Sequence, residues 1–232
     1  MQHVLECAKR LLATTAIIFA ATITNAQNIE YSKADSTKVV SLLKEATTLR
    51  GNTHPMIYFG RKFIGYPYVA HTLERGDKEH LIVNLRQFDC TTFVETVTAL
   101  TLCDQRNQRT FADFCHNLVT LRYRQGKISD YTSRLHYFTW WATDNEQLGI
   151  IKDIAPQQEP WGAFTAVQRI NINYMSNHAS AYKHLLACPD YLPVIKKMEQ
   201  DCNGKQYRYI PKDNLRWSAD SSLGQVHSGD IV

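Results

Sequence analysis

Cys90 is the residue in this sequence whose surroundings favour nucleophilic chemistry. A short apolar run at 81–85 precedes it, and from Phe93 onward apolar residues recur with the i, i+3, i+4, i+7 spacing of a helix. Asp89 is placed to cap that helix, so Cys90 would lie in its first turn. Free N–H groups and the helix dipole stabilise a thiolate there, and the thiolate is the reactive form. Cys90 is therefore a candidate nucleophile, and the alternative is a small buried hydrophobe.

The heptapeptide that begins at Asp89, Asp-Cys-Thr-Thr-Phe-Val-Glu, resembles the cysteine element of the NlpC-type cell-wall cysteine hydrolases, a papain-like group. The longer context resembles one branch of it, the N-acetylmuramoyl-L-alanine amidase-like proteins. The resemblance covers Tyr58 to Val232, and the motifs are specific in combination rather than singly. Besides the heptapeptide they are, in order, Gly65-Tyr66-Pro67-Tyr68, Thr72-Leu73-Glu74, Val83-Asn84-Leu85, Ser133-Arg134-Leu135-His136-Tyr137-Phe138, Met175-Ser176-Asn177-His178 and Tyr209-Ile210-Pro211-Lys212.

The resemblance implies an α+β fold of papain-like architecture, in which the helix carrying Cys90 packs on an antiparallel sheet. It implies a single amidase domain over residues 27–232. In NlpC-type enzymes the catalytic histidine begins the strand after a Gly-Asp-Ile-Val segment, and this sequence ends at Gly229-Asp230-Ile231-Val232. We therefore expect the base and its orienting residue beyond Val232, and a truncated C-terminal sheet. His227 precedes the glycine and does not match the motif.

The activity that the resemblance implies is hydrolysis of the amide between N-acetylmuramic acid and L-alanine, with Cys90 as nucleophile and no metal or other cofactor. It also implies a substrate cleft, in which Arg134 could bind a carboxylate or a sugar-lactyl oxygen. The residues expected at this cleft are Asp89, Tyr66, Tyr68, Arg134, His136, Ser176 and His178. The residues alone leave other interpretations open. His136 could be a hydrogen-bonded histidine among aromatic residues, His178 a solvated surface histidine, and Tyr66 and Tyr68 could pack in the core.

Two other functional classes remain open. A papain-like scaffold could bind peptidoglycan fragments without cleaving them, as a binding module or an inactive homologue. The same scaffold could also support acyl transfer to an amine, because a fold does not fix a function. In all three cases the expected partners are muropeptides or peptidoglycan fragments.

The first 26 residues are predicted to be a secretory signal peptide. Lys9 and Arg10 precede an apolar run from Leu11 to about Ala21, and a small-residue cleavage site ends at Ala26. The run is too short for a comfortable transmembrane span, although an uncleaved anchor is the alternative. We expect an exported protein, periplasmic or extracellular, with no stable membrane insertion after cleavage.

Composition and charge argue against nucleic acid as a partner. The chain has 232 residues and a formal net charge of +4, and its sequence has neither a glycine-rich phosphate loop nor a basic patch with interleaved aromatics. The cysteines left after cleavage are Cys90, Cys103, Cys115, Cys188 and Cys202. In an oxidising compartment their odd number indicates a free thiol, and Cys188 with Cys202 is the most plausible disulfide. A set of buried thiols without a disulfide fits equally, and the spacings show no metal motif.

Periodicity and capping signals predict the elements that must position these side chains. Helices are expected after Ser36 and after Thr110, over 133–141 with Leu135, Phe138 and Trp141 inward, from 176 to 186, and over 192–200. Strands are expected at 81–85, within 166–175, at 207–210 and from Gly229, with an extended piece at 150–154.

Overall fold

The computed structural model describes residues 29–155, 162–214 and 226–231, so the predicted signal peptide lies outside the described part. The elements in chain order are β1 Ile29–Glu30, α1 Lys33–Leu49, α2 Pro55–Arg61, β2 Leu81–Ile82, α3 Cys90–Gln105, α4 Phe111–Arg122, α5 Phe138–Gln147, β3 Ala166–Arg169, α6 Tyr174–Asn177, α7 Lys183–Ala187, α8 Tyr191–Cys202 and β4 Gln206–Tyr209. Among these helices there is none whose length and apolar character would let it cross a membrane.

The central element is α3, which packs against α1, α2 and α4. Thr98 in α3 donates a hydrogen bond to the Met56 sulfur in α2 (3.8 Å), and Cys103 accepts one from Asn117 in α4 (3.1 Å). Leu100 is fully buried. Burying apolar surface contributes about 25 cal/mol per Å², so this helix contact is a large part of the stability of the core.

The described strands form two small sheets. β1 and β2 are parallel, with Ile29 opposite Leu81, and β3 and β4 are antiparallel, with Ala166 opposite Tyr209. The predicted strand at 81–85 is thus a strand only over its first two residues, and one further backbone hydrogen bond, from Val83 to Glu30, follows them. The packing of the Cys90 helix on an antiparallel sheet stays a prediction, because the described contacts of α3 are mainly with helices.

Capping boxes fix where three helices begin. The predicted cap at Asp89 and the predicted helix start after Thr110 are confirmed, since each side chain accepts the backbone N–H three residues ahead, and both turn out to be capping boxes. The predicted start at Ser36 is wrong: α1 begins at Lys33, and Ser32 is its cap. Asp35 accepts both the backbone N–H (2.9 Å) and the hydroxyl of Ser32, and this reciprocal pair outcompetes a later cap.

The predicted helix over 133–141 is wrong in its first half. Its backbone is extended from Arg134, which bridges Tyr123, and the N–H of Leu135 donates to the Arg122 carbonyl (2.9 Å). The helix therefore begins only at Phe138, and Phe138 is 63% exposed rather than inward. Leu135 and Trp141 are buried, as predicted.

The predicted helix from 176 to 186 is broken into short pieces. His178 leaves helical geometry with φ −125° and ψ 39°, so α6 ends at Asn177 and Ser176 lies within it rather than before it. Where a strand was expected from Gly229, the described residues form a turn over 227–230, in which the N–H of His227 donates to the Asp230 carboxylate (2.6 Å), and Val232 lies outside the described residues. The extended piece at 150–154 forms no strand.

The expected disulfide between Cys188 and Cys202 is wrong. All five cysteines of the described chain are free thiols. The Cys202 sulfur instead accepts a hydrogen bond from the Trp140 indole N–H (3.0 Å), which ties α8 to α5.

Candidate functional site

The backbone before Cys90 is anchored on one side by the first described residues. The N–H of Val83 donates to the Glu30 carbonyl (2.9 Å), which extends the pairing of β1 with β2. The N–H of Leu85 donates to the buried carboxylate of Asp35 (2.9 Å), at the start of α1. Because Asp35 also closes the capping box of α1, one side chain fixes both a helix start and the approach to the cysteine.

The segment that carries Tyr66 and Tyr68 anchors the other side. The N–H of Phe88 donates to the Pro67 carbonyl (3.0 Å), and the N–H of Val69 donates back to the Phe88 carbonyl (2.8 Å). Tyr66 packs its ring edge-on against Phe63, with centroids 5.6 Å apart, whereas the Tyr68 ring is 73% exposed. The structure therefore brings both predicted tyrosines beside the segment that ends at Cys90.

The start of α3 leaves the Cys90 thiol open to solvent. The Asp89 carboxylate accepts the N–H of Thr92 (2.8 Å), and the Asp89 N–H donates to the Thr92 hydroxyl (3.0 Å). Cys90 itself is exposed, and its described hydrogen-bonding contact is with the Thr91 hydroxyl at 4.0 Å. Within the described ranges the N–H groups of Cys90 and Thr91 have no acceptor. Asp89 thus caps the helix, and the backbone N–H groups of Cys90 and Thr91 remain free beside the thiol.

Arg134 is an interior cation. Its guanidinium pairs with the Glu74 carboxylate, donates to the Leu73 carbonyl (3.2 Å), and lies 3.8 Å from the Glu79 carboxylate and 4.9 Å from the centre of the Tyr131 ring. Only 5% of the side chain is exposed, so the guanidinium that was expected at the substrate cleft lies in the protein interior. Burial alone would lower the pKa of Arg134, but Glu79 and Glu74 raise it above its ordinary value. The arginine stays charged and holds the segment around Glu74.

Glu79 belongs to the same interior cluster, although no motif in the sequence marks it. It accepts the phenolic hydrogen of Tyr123 (2.8 Å). Burial raises the pKa of Glu79, while the Arg134 charge and the Tyr123 hydroxyl oppose that rise. The single Arg134 charge therefore offsets part of the charge of two neighbouring carboxyl groups inside the protein.

A second interior ion pair joins Glu95 of the cysteine helix α3 to Arg122 of α4. The Arg122 Nε donates to Glu95 (2.7 Å), and its Nη1 donates to the Ile82 carbonyl in β2 (2.7 Å). Burial raises the pKa of Glu95, and Arg122 counteracts that rise. The apolar stripe of α3 gave no sign of this pair, because Arg122 lies 27 residues away in sequence. The pair links α3, α4 and the strand that leads to Cys90.

His136 is a neutral histidine beside aromatic rings. Its Nε2 lies 2.8 Å from the Tyr131 carbonyl, and the two rings are 4.4 Å apart. Burial lowers the pKa of His136 well below its ordinary value, and the Arg134 charge adds to that lowering. The Nε2 nitrogen therefore carries the proton that the carbonyl accepts.

Ser176 and His178 lie together at α6. The N–H of Ser176 donates to Glu199 (3.2 Å), a buried carboxylate in α8 that also accepts the Tyr137 hydroxyl (2.6 Å). His178 is exposed and stacks on Tyr174, with centroids 4.2 Å apart. No motif in the sequence marks Glu199, because it lies within an amphipathic helix.

The predicted site residues thus fall into three groups. Cys90, Asp89, Tyr66 and Tyr68 surround the start of α3. Arg134 and His136 flank Tyr131. Ser176 lies in α6, and His178 directly follows that helix. In the described chain, no hydrogen bond or ring contact joins Cys90 to the other two groups. The described residues also contain no cluster of three or more histidine, cysteine, aspartate or glutamate side chains that could hold a metal.

A family profile described as AmiA-like, N-acetylmuramoyl-L-alanine amidase-like, matches residues 58–232. The chain belongs to this family. Among solved structures it is similar to a protein from Bacteroides uniformis named N-acetylmuramoyl-L-alanine amidase, with 40% identity, a TM-score of 0.63 and coverage of 70% of this chain and 66% of that one. No curated protein matches the chain.

Two further solved structures resemble this family member. A Bacteroides fragilis protein for which a xylanase activity has been suggested is 40% identical, with a TM-score of 0.61 and coverage of 68% of this chain and 67% of that one. Protein LPG0564 from Legionella pneumophila is 21% identical, with a TM-score of 0.59 and coverage of 84% of this chain and 70% of that one. This similarity supports a shared fold and nothing about activity. The chain spans about two thirds of the length of the Bacteroides proteins.

Proposed function

We propose that the protein hydrolyses the amide between N-acetylmuramic acid and L-alanine in peptidoglycan fragments, with Cys90 as nucleophile, on a papain-like scaffold. The observation that carries the proposal is the exposed thiol at the first residue of α3, in a chain of the amidase-like family. The N-terminal end of a helix favours the thiolate, and an exposed position lets a carbonyl carbon reach it.

The chemistry follows from that position. The Cys90 sulfur attacks the lactyl carbonyl, and the oxyanion that forms is stabilised by the free N–H of Cys90. The amide C–N bond then breaks, the peptide leaves with a protonated L-alanine amine, and a thioester to the sugar acid remains. Water attacks the thioester and releases the N-acetylmuramic acid fragment and the thiol.

The proton transfers need a general acid and base, and such a group contributes roughly 100- to 10,000-fold. No described histidine hydrogen-bonds to the Cys90 sulfur: His136 is committed to the Tyr131 carbonyl, and His178 lies 3.0 Å from the Tyr174 carbonyl. This observation favours a second candidate, a module that binds muropeptides without cleaving them.

Product analysis separates these functions. A muropeptide is incubated with the exported protein, with and without an added primary amine, and the products are identified by mass spectrometry. Hydrolysis predicts a free L-alanine amine on the peptide and no product from Cys90→Ser, whereas Cys103→Ser, which changes a buried thiol, retains activity. An amide to the added amine would identify an acyltransferase. Binding without any product would contradict the hydrolase and support the binding module.

A further inference from the structure

The His80 ring has hydrogen-bond acceptors at both of its nitrogens. Nδ1 lies 2.9 Å from the Lys78 carbonyl oxygen, and Nε2 lies 3.1 Å from the Glu30 carboxylate in β1. A neutral imidazole has one N–H, whereas the imidazolium has two. Only the protonated ring can donate to both oxygens, so the geometry around His80 matches its charged form.

Glu30 connects this histidine to the pairing of β1 with β2. Its other carboxylate oxygen accepts Arg75 Nη1 (2.8 Å), and its backbone carbonyl accepts the Val83 N–H (2.9 Å). The described pairing of β1 with β2 is two residues long, so it provides few hydrogen bonds of its own. The Glu30 side chain therefore adds two hydrogen bonds, to Arg75 and His80, that tie β1 to the segment before β2.

The surroundings of His80 include groups of both charges from three elements. The hydroxyl oxygen of Tyr123, at the end of α4, lies 3.0 Å from the His80 carbonyl oxygen, and Lys183 of α7 donates to the Gly76 carbonyl (3.3 Å) on the far side of the turn. The titratable or charged groups around the ring and its turn are Glu30, Arg75, Asp77, Lys78, Glu79, Tyr123 and Lys183. Glu30 and Glu79 both favour the imidazolium.

The pKa shifts of the two partners define a pH window. Burial alone would lower the pKa of His80, but its bonds to the Lys78 carbonyl and to Glu30 raise it above the ordinary value. The side-chain hydrogen bonds of Arg75 and His80 lower the pKa of Glu30. The contribution of His80 is complete below its unfolded pKa and is lost as pH rises through the raised value. The contribution of Glu30 is complete above its unfolded pKa and is lost as pH falls through the lowered value.

We propose that His80 and Glu30 form a pH-sensitive clamp, which holds β1 on β2 while His80 is protonated and loosens that pairing once the ring is neutral. A neutral ring must turn one lone pair toward an oxygen, so a hydrogen bond is replaced by a repulsion. Since β2 leads through Val83 and Leu85 to Cys90, loosening it changes the backbone that positions the cysteine helix. The clamp does not depend on the reaction that the protein performs.

The test measures the titration of His80 and the opening of the strand pair in the full chain. An NMR titration, with His80→Gln to assign the resonance, should give a His80 pKa above about 6.5, and Glu30→Gln should lower it. The exchange protection of the Val83 N–H should fall as pH rises through that value. The exchange protection of the Val83 N–H should decrease about tenfold for each pKa unit by which Glu30→Gln lowers the pKa of His80.

The controls decide whether His80 causes the effect. His116 is exposed in α4, so His116→Gln should retain the pH dependence of Val83 protection, and His80→Gln should lose it. A His80 pKa at or below about 6.5, or one that Glu30→Gln leaves unchanged, would overturn the clamp. Equal pH dependence in the parent and His80→Gln would overturn it too. If His80→Gln does not fold, the titrations of the parent and Glu30→Gln decide alone.

Discussion

The start of α3 and the cluster around Arg134 give polar side chains opposite surroundings. Cys90 is exposed, and its helix cap is satisfied by Asp89, so the thiol and two N–H groups remain open. The Arg134 guanidinium is buried, and it already interacts with the Glu74 and Glu79 carboxylates and the Leu73 carbonyl. Both regions match family motifs and were expected in one cleft. Residue type identifies which chemistry is possible, but burial and existing partners determine whether a side chain can meet a ligand.

Thiol labelling gives the largest expected contrast between exposed and buried groups. Burial raises the pKa of Cys103 to about 11 and that of Cys115 to about 12. Because a pKa three units above that of an ordinary thiol means about 1,000-fold less thiolate, iodoacetamide at neutral pH should label Cys115 about 1,000-fold more slowly than an ordinary exposed thiol, and the exposed Cys90 should be labelled first. Peptide mapping of the folded protein over time measures both rates. Labelling of Cys115 as fast as Cys90 would show that the thiol at the helix start has no special reactivity.

Arg134→Met should cause the next largest effect, on stability. Removing the guanidinium leaves the Glu74 and Glu79 carboxylates without their counter-charge in a buried site, which typically costs about 3 kcal/mol or more. Urea unfolding measures the loss, and Arg61→Met, at an exposed position in α2, is the matched control with a change below about 0.5 kcal/mol. Unchanged stability combined with lost turnover would instead mean that Arg134 contacts the substrate.

His136 should make stability depend on acid pH. Its pKa is lowered well below the ordinary value, so the unfolded chain binds a proton that the folded chain does not. Stability should therefore fall as pH drops below about 6.5, by up to about 1.4 kcal/mol per pH unit, and His136→Gln should reduce that slope. Thermal unfolding between about pH 7 and 5 gives the slopes, with exposed His178→Gln as the control. A slope in His136→Gln as steep as in the parent would indicate that His136 is protonated in the folded protein.

What the sequence predicted well is local in the chain. The caps at Asp89 and Thr110 depend on residues three positions ahead, and the helices that follow them begin where the pattern placed them. The motif around Cys90 likewise placed the thiol at the first residue of α3. Such features need no knowledge of distant partners, because the backbone donors that they satisfy belong to the same turn.

What the sequence missed depends on distant partners. Arg134 lies 60 residues from Glu74, and the Glu95–Arg122 pair joins two helices. Neither pairing leaves a periodic signal, and a charged residue on an apolar stripe looks like a solvated one until its partner is known. The same reason explains the segment from Arg134 to Tyr137, where a backbone bond to Arg122 replaces the expected helix.

The tyrosines beside Cys90 give the smallest effect and the finest comparison within the proposed site. The Tyr68 ring is 73% exposed and its segment is held by backbone bonds, whereas the Tyr66 ring packs against Phe63. Tyr68→Ala should therefore leave thermal stability unchanged and weaken muropeptide binding about threefold to tenfold, the range expected for one aromatic contact. Tyr66→Ala should lose stability as well as affinity.

The control for loss of surface aromatic area is Tyr209→Ala, which removes another exposed tyrosine, in β4. Affinity is measured by titration calorimetry, so the comparison holds even for a protein that binds without turnover. If Tyr68→Ala and Tyr209→Ala bind equally well, the exposed ring beside the cysteine does not contact the ligand, and the substrate must approach Cys90 from another side.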